Sequence, residues 1–210
     1  MPISSKKSLN KLNEEVSICK KCLDLVKIRK RPVPGTGAPN SKLIITGYFP
    51  EECGPQEEGA PFSGNREGSL MRSMLMDAGL SLESDTYLTY LVKCAPCIKK
   101  AEESIEIDKK GEPTEKHISN CINYFTEEIS IITPHIIVSL GLDVSNIILG
   151  NFFSAARQYQ DMAKLHMKLF ENPSFKLVPF YSPADVFAGR ISESRYIEDF
   201  RNLSKLFRLV

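Results

Sequence analysis

LIITGYFPEECGPQEEGAPFSG, residues 43–64, opens as a buried strand and closes on the approach to a helix. Leu43, Ile44 and Ile45 form a continuous apolar run. The run breaks at Gly47 into a loop of glycine, proline and carboxylates, which ends at Ala60-Pro61-Phe62-Ser63-Gly64; helical periodicity follows from Leu70. A strand that opens into such a loop and then a helix is the ligand-binding arrangement of an open α/β sheet, where ligands sit beyond the carboxyl ends of the strands. At 18 residues from Gly47 to Gly64 the loop exceeds an ordinary connection, and loops of that length are usually functional or disordered.

Working outward, residues 6–28 read as a helix, with Leu9, Leu12, Val16 and Cys19 at near-helical intervals. Thr86–Lys93 alternates as a strand and runs into Cys94 and Cys97. Glu115–Ile132 is a helix containing Cys121, His135–Leu140 a strand, and Asp143–Leu149 the start of another helix. Phe152–Met167 reads equally as a short helix or a loop with aromatic anchors. Phe175–Phe180 is the last strand and Ile191–Leu209 the closing helix. This alternation predicts an α/β fold: a three-layer α/β/α sandwich around a central, mainly parallel four-stranded sheet, one domain across residues 1–210. The charged stretch at about 98–116 reads as an exposed, mobile insertion.

No apolar run approaches the ~18 residues of a membrane span, and MPISSKKSLN lacks a signal-peptide core. The expected compartment is the cytoplasm, with no membrane partner. A net charge of +1 excludes a polycation, so a nucleic-acid surface must be local. The basic run Lys20, Lys21, Lys27, Arg29, Lys30 and Arg31 is either a solvated face or a phosphate-binding edge. Six cysteines in a reducing compartment are unsuited to disulfides. Cys19-x-x-Cys22 and Cys94-x-x-Cys97 have metal-ligand spacing, against the alternative of scattered buried thiols.

Four stretches together resemble the uracil-DNA glycosylase superfamily, in its iron–sulfur, family 4 branch. They are Cys19-x-x-Cys22; Gly47-Tyr-Phe-Pro50 running to Gly59-Ala-Pro-Phe-Ser-Gly64, similar to GEAPG…GRPFVG; Tyr87–Cys94, similar to YITNVVKC; and Thr133–Gly141, similar to a KP-x-VIVALG strand. Tyr181-Ser-Pro-Ala184 then stands where the family has YHPA. The ordered set spans nearly the whole chain.

The resemblance implies a [4Fe–4S] cluster on Cys19, Cys22, Cys94 and Cys121, thiolates being the usual ligands; zinc on the same sulfurs is the alternative, and Cys97 could replace Cys94. It implies a partner: DNA carrying a damaged or deaminated base, engaged by a monomer at the nucleoid. It also implies a pocket for the flipped base, built from Gly47, Tyr48, Phe49, Pro50 and Phe62, with Phe62 as the stacking ring. DNA contacts fall on Lys30, Arg31, Arg190 and Phe187, the last either a wedge or a core residue.

The departures fall on the chemistry. Tyr90 replaces the family's base-reading Asn, Ser182 its His, and Tyr48 an acidic residue. Candidate catalytic groups are therefore Tyr90, Ser182 and a loop carboxylate, Glu51 or Glu52. His117, His135 and His166 read as solvent-exposed. Two functions stay open: a glycosylase with a rearranged site, or an iron–sulfur DNA-binding protein of the same fold with weak or no activity. A zinc-stabilised nucleotide-binding protein is a third.

Overall fold

The computed structural model describes residues 2–50, 55–82, 84–96, 112–153 and 158–209. Its sheet is built on β2 (Leu43–Gly47), β3 (Thr86–Tyr90), β4 (Ile136–Leu140) and β6 (Lys176–Phe180), all parallel. Two-residue strands β1 (Thr36–Gly37) and β5 (Phe170–Glu171) add antiparallel edges, so the order is β1-β3-β2-β4-β6-β5. The sheet thus has six strands rather than four. The two extra strands are too short to show an alternating pattern in sequence.

Apolar runs buried on both faces are what a parallel sheet requires. Side chains alternate across it. Ile44, Tyr87, Ile137 and Leu177 enter one core with α1 (Pro2–Ser17), α5 (Glu115–Ile132) and α6 (Leu142–Phe152). Leu43, Ile45, Leu88, Val138 and Phe180 enter the other with α4 (Arg66–Asp77) and α8 (Glu193–Leu209). This is the three-layer sandwich.

Three boundaries differ from the sequence reading. The N-terminal helix is broken: α1 ends at Ser17 and α2 runs Leu23–Ile28. Leu9, Leu12 and Val16 are buried, but Ile18 is 76% exposed and Leu23 70% exposed, so the apolar stripe stops there. β3 ends at Tyr90, three residues early. A short helix α7 (Pro183–Phe187) precedes α8, opened by Ser182 in a capping box with Asp185 and by Pro183 at its first turn. In the ambiguous stretch, α6 ends at Phe152 and a 3-10 turn covers Met162–Lys164. The loop after β2 contains a single helical turn, α3 (Pro55–Glu58). The charged insertion lies almost wholly outside the described residues.

The chain leaves β2 for β3 on one side and then crosses to β4 on the other. The carboxyl ends of β2 and β4 therefore flank the crevice that such a reversal opens.

Candidate functional site

A cavity of about 760 Å³ occupies that crevice. Gly47 reaches it from β2, Tyr90 from β3, Leu140 and Gly141 from β4, and Tyr181 and Ser182 from the end of β6. Tyr48, Phe49 and Phe62 complete the apolar wall; Pro50 is buried but does not line it.

Phe62 is held in an unusual way. Its φ is +51°, a region that non-glycine residues visit only when their surroundings over-determine it. Its N–H donates to the Tyr90 hydroxyl at 3.1 Å, and the Arg72 guanidinium donates to its carbonyl. The Phe62 and Tyr90 ring centroids lie 4.8 Å apart. Both rings press on Gly47, where a Cβ would stand 2.9 Å from Tyr90 Cε1 and 3.0 Å from Phe62 Cζ. Glycine is needed there for close approach.

Ser182 lies across the cavity. Its N–H and its hydroxyl both donate to Asp185 Oδ2, at 2.8 and 2.9 Å. The other Asp185 oxygen accepts from Arg190, which also lines the cavity. The Ser182 proton is thus directed to a buried carboxylate. Asp185 was not singled out from sequence, although Ser-x-x-Asp ahead of an apolar residue is a capping signature. Behind this wall, His166 Nδ1 accepts the Tyr181 N–H at 3.3 Å, and its Nε2 lies 2.7 Å from the fully buried Asp199. The Tyr196 hydroxyl donates to the Tyr181 carbonyl at 3.0 Å.

The expectation of exposed histidines fails for all three, and two of them are held by carboxylates. His166 is held against Asp199, and His117 is 5% exposed, with Nε2 2.6 Å from Asp24 Oδ2. Each packs because a carboxylate satisfies its ring nitrogen. His135 is half-buried at the start of β4.

On the far side of the β3 end, four thiols line one small cavity: Cys19 and Cys22 between α1 and α2, Cys94 after β3, and Cys121 on α5. Arg29 donates to Cys94 Sγ at 2.9 Å, the Lys93 N–H to Cys121 Sγ at 3.2 Å, and Asn120 to Cys22 Sγ at 3.5 Å. Burial pushes the Cys94 thiol up to about 12, against the opposing pull of Arg29. Burial likewise raises Cys121 and Cys22. Among the described residues no three His, Cys, Asp or Glu side chains are grouped to hold a metal ion. Even so, four thiols from three segments, three of them facing N–H donors, are a donor set that fits a thiolate-bound cluster. Beneath them the Lys93 ammonium and Glu128 carboxylate pair at 2.7 Å, 1% and 0% exposed, with Thr89 and Tyr87 hydroxyls completing the network.

The basic run does not act as one surface. Arg29 turns inward to Cys94 and the Cys19 carbonyl, and Lys21 lies 4.2 Å over the Tyr124 ring. Lys30 and Arg31 are exposed, Lys30 in an ion pair with Glu57. Phe187 is 43% exposed, with the Arg66 guanidinium 4.3 Å from its ring centroid, so it is not a core residue. Glu51, Glu52, Cys53 and Cys97 lie outside the described residues.

The family model for the uracil DNA glycosylase superfamily matches residues 34–203. A type-4 uracil-DNA glycosylase of Sulfurisphaera tokodaii is 32% identical, the match covering 95% of this chain and 84% of that protein. One of Archaeoglobus fulgidus is 28% identical over 95% and 93%. A type-5 uracil-DNA glycosylase of Mycobacterium leprae is 25% identical over 95% and 96%.

Proposed function

The chain belongs to the uracil-DNA glycosylase superfamily, and from that premise we propose that it is a DNA N-glycosylase of base excision repair, removing uracil or another deaminated base. It acts as a monomeric single domain on DNA in the cytoplasm, at the nucleoid. No described helix is long and apolar enough to cross a membrane.

One observation carries the reading: a large cavity at the sheet's reversal point, with Phe62 pinned in its wall by both backbone groups. A flipped base needs a rigid face to stack on and a site that excludes the duplex. Phe62 supplies the face. Gly47, Tyr48, Phe49 and Tyr90 line the cavity where the base edge would lie, and a loop carboxylate, Glu51 or Glu52, would position water against the sugar. Breaking the C1′–N bond builds positive charge on the sugar and negative charge on a departing uracil, so donors near the base accelerate it. Lys30, Arg31 and Arg190 meet phosphates, and the exposed Phe187 enters the gap left by the base.

Cys19, Cys22, Cys94 and Cys121 would hold a [4Fe–4S] cluster, with zinc as the rival group. Bound there, the cluster supplies cross-linking among three segments and no reacting centre. Brown protein with stoichiometric sulfide supports the cluster, and colourless protein supports zinc.

A second reading, DNA binding with little turnover, is favoured by the Ser182 proton being committed to Asp185. Release of free base from DNAs carrying uracil, hypoxanthine or xanthine separates the two. Glycosylase action predicts free base and an abasic site. Tight binding with no base released from any of them rejects action on deaminated bases.

A further inference from the structure

The cavity is acidic. Among the described residues its wall carries Glu67, Glu112, Asp143, Asp161 and Asp185 against one cation, Arg190, which is already ion-paired to Asp185, while Glu67 is ion-paired to Arg66. Two of these carboxylates are withdrawn from solvent: Asp185 is 8% exposed and the Glu67 side chain 15%. Among the described residues no lysine or histidine lines the cavity. Aromatic rings share the wall, notably Phe62, Tyr90 and Tyr181.

Aromatic faces attract cations through their quadrupole, and carboxylates attract them by charge. The same wall raises the energy of an anion. A departing uracil is an anion and wants donors here. A purine alkylated on a ring nitrogen is the opposite case. It carries a positive charge while attached to the sugar and leaves neutral, so it needs no donor on the base.

We propose, on the footing of the glycosylase reading, that the preferred substrate of this pocket is an N-alkylated, cationic purine in DNA, such as 7-methylguanine or 3-methyladenine. The cavity, at about 760 Å³, has room for a purine. In the step, the C1′–N bond breaks and its electron pair goes to the ring nitrogen, cancelling the base's charge. A water oxygen bonds to C1′, and the proton it sheds passes through a wall carboxylate to solvent. No oxidant or further reactant is required.

The test uses the full chain as purified. Its substrates are DNA methylated with radiolabelled methylnitrosourea and a matched DNA containing uracil; released bases are separated by chromatography. Methylated purine should leave at least about tenfold faster than uracil, after subtraction of spontaneous loss. Asp143→Asn with Asp161→Asn should lower methyl-purine release several-fold at low salt, less at high salt, and should lower the ratio of methyl-purine to uracil release. Asparagine at 161 keeps an acceptor for the Ala163 N–H, which Asp161 now accepts at 2.9 Å. Uracil release with no methyl-purine release overturns this inference and leaves the glycosylase reading standing. Release of neither base, nor of hypoxanthine or xanthine, overturns both. Equal loss of both activities in a folded double variant overturns the electrostatic basis. The unsubstituted protein decides the substrate class even if the variant does not fold.

Discussion

Tyr90 and Phe62 show how one contact can serve both the fold and the site. Phe62 sits at a φ of +51°, a conformation that costs of the order of 1–3 kcal/mol for a non-glycine residue. The Tyr90 hydroxyl, the Arg72 guanidinium and the packed rings hold it there. In Tyr90→Phe the ring stays, but the buried Phe62 N–H loses its acceptor, at a cost of about 1–3 kcal/mol. The melting temperature should fall by several degrees. If Phe62 stacks the base, KM should rise more than kcat falls, because the face is loosened rather than removed. Differential scanning calorimetry and steady-state base release check this together. An unchanged melting temperature would show that the hydrogen bond contributes nothing in solution. Across the pocket, Ser182 can take the place of an imidazole in sequence without taking its role, because Asp185 accepts its proton.

Among the elements, the end of β3 and the turn after it are joined to α5 by a buried ion pair and its hydrogen bonds. Lys93 and Glu128 are both withdrawn from water and pair at 2.7 Å. Removing one partner strands a buried charge, at about 3–5 kcal/mol, whereas replacing both with apolar residues is often nearly neutral. Glu128→Gln should therefore destabilise strongly, and Lys93→Met with Glu128→Leu should recover most of the loss; urea unfolding of the three proteins measures it. A double variant no better than Glu128→Gln would mean that packing, not charge, sets the cost. Neither residue was legible in sequence, because a lone glutamate within a helical pattern reads as solvated. β2, β4 and β6 were legible, since strands buried on both faces leave nearly continuous apolar runs, and β3 was legible from its alternation. β1 and β5 were not, at two residues each. The break between α1 and α2 was hidden because helical spacing continues to Cys19. What ends the helix is a tertiary demand, bringing Cys19 and Cys22 to the cavity shared with Cys94 and Cys121. The positions around the pocket could be placed in order along the chain, but His166 and Asp199 act through partners distant in sequence, and the Ser-x-x-Asp signature of Asp185 marks a helix cap without placing it in the cavity wall.

At the scale of the whole molecule, the four thiols come together from three separate segments of the chain. Residues 19–22 follow α1, Cys94 follows β3, and Cys121 sits on α5. α1 otherwise rests on α5 through a modest stripe of Leu9, Leu12 and Val16. Cross-linking distant segments removes chain entropy from the unfolded state, by an amount that grows slowly with loop length. A metal group bound only by the folded chain also adds its binding energy to stability. Cys121→Ser should therefore lose the visible absorbance, most of its iron and sulfide, and hydrogen-exchange protection in α1 before protection in β2 or β4. Glu128→Gln should unfold more easily yet keep its iron, because Glu128 touches no sulfur in the structure. The pair separates loss of a cross-link from general weakening. A Cys121→Ser protein that retains full iron and sulfide would remove Cys121 from the ligand set, and the staple would then have to be sought among the three remaining thiols and the cysteines outside the described residues.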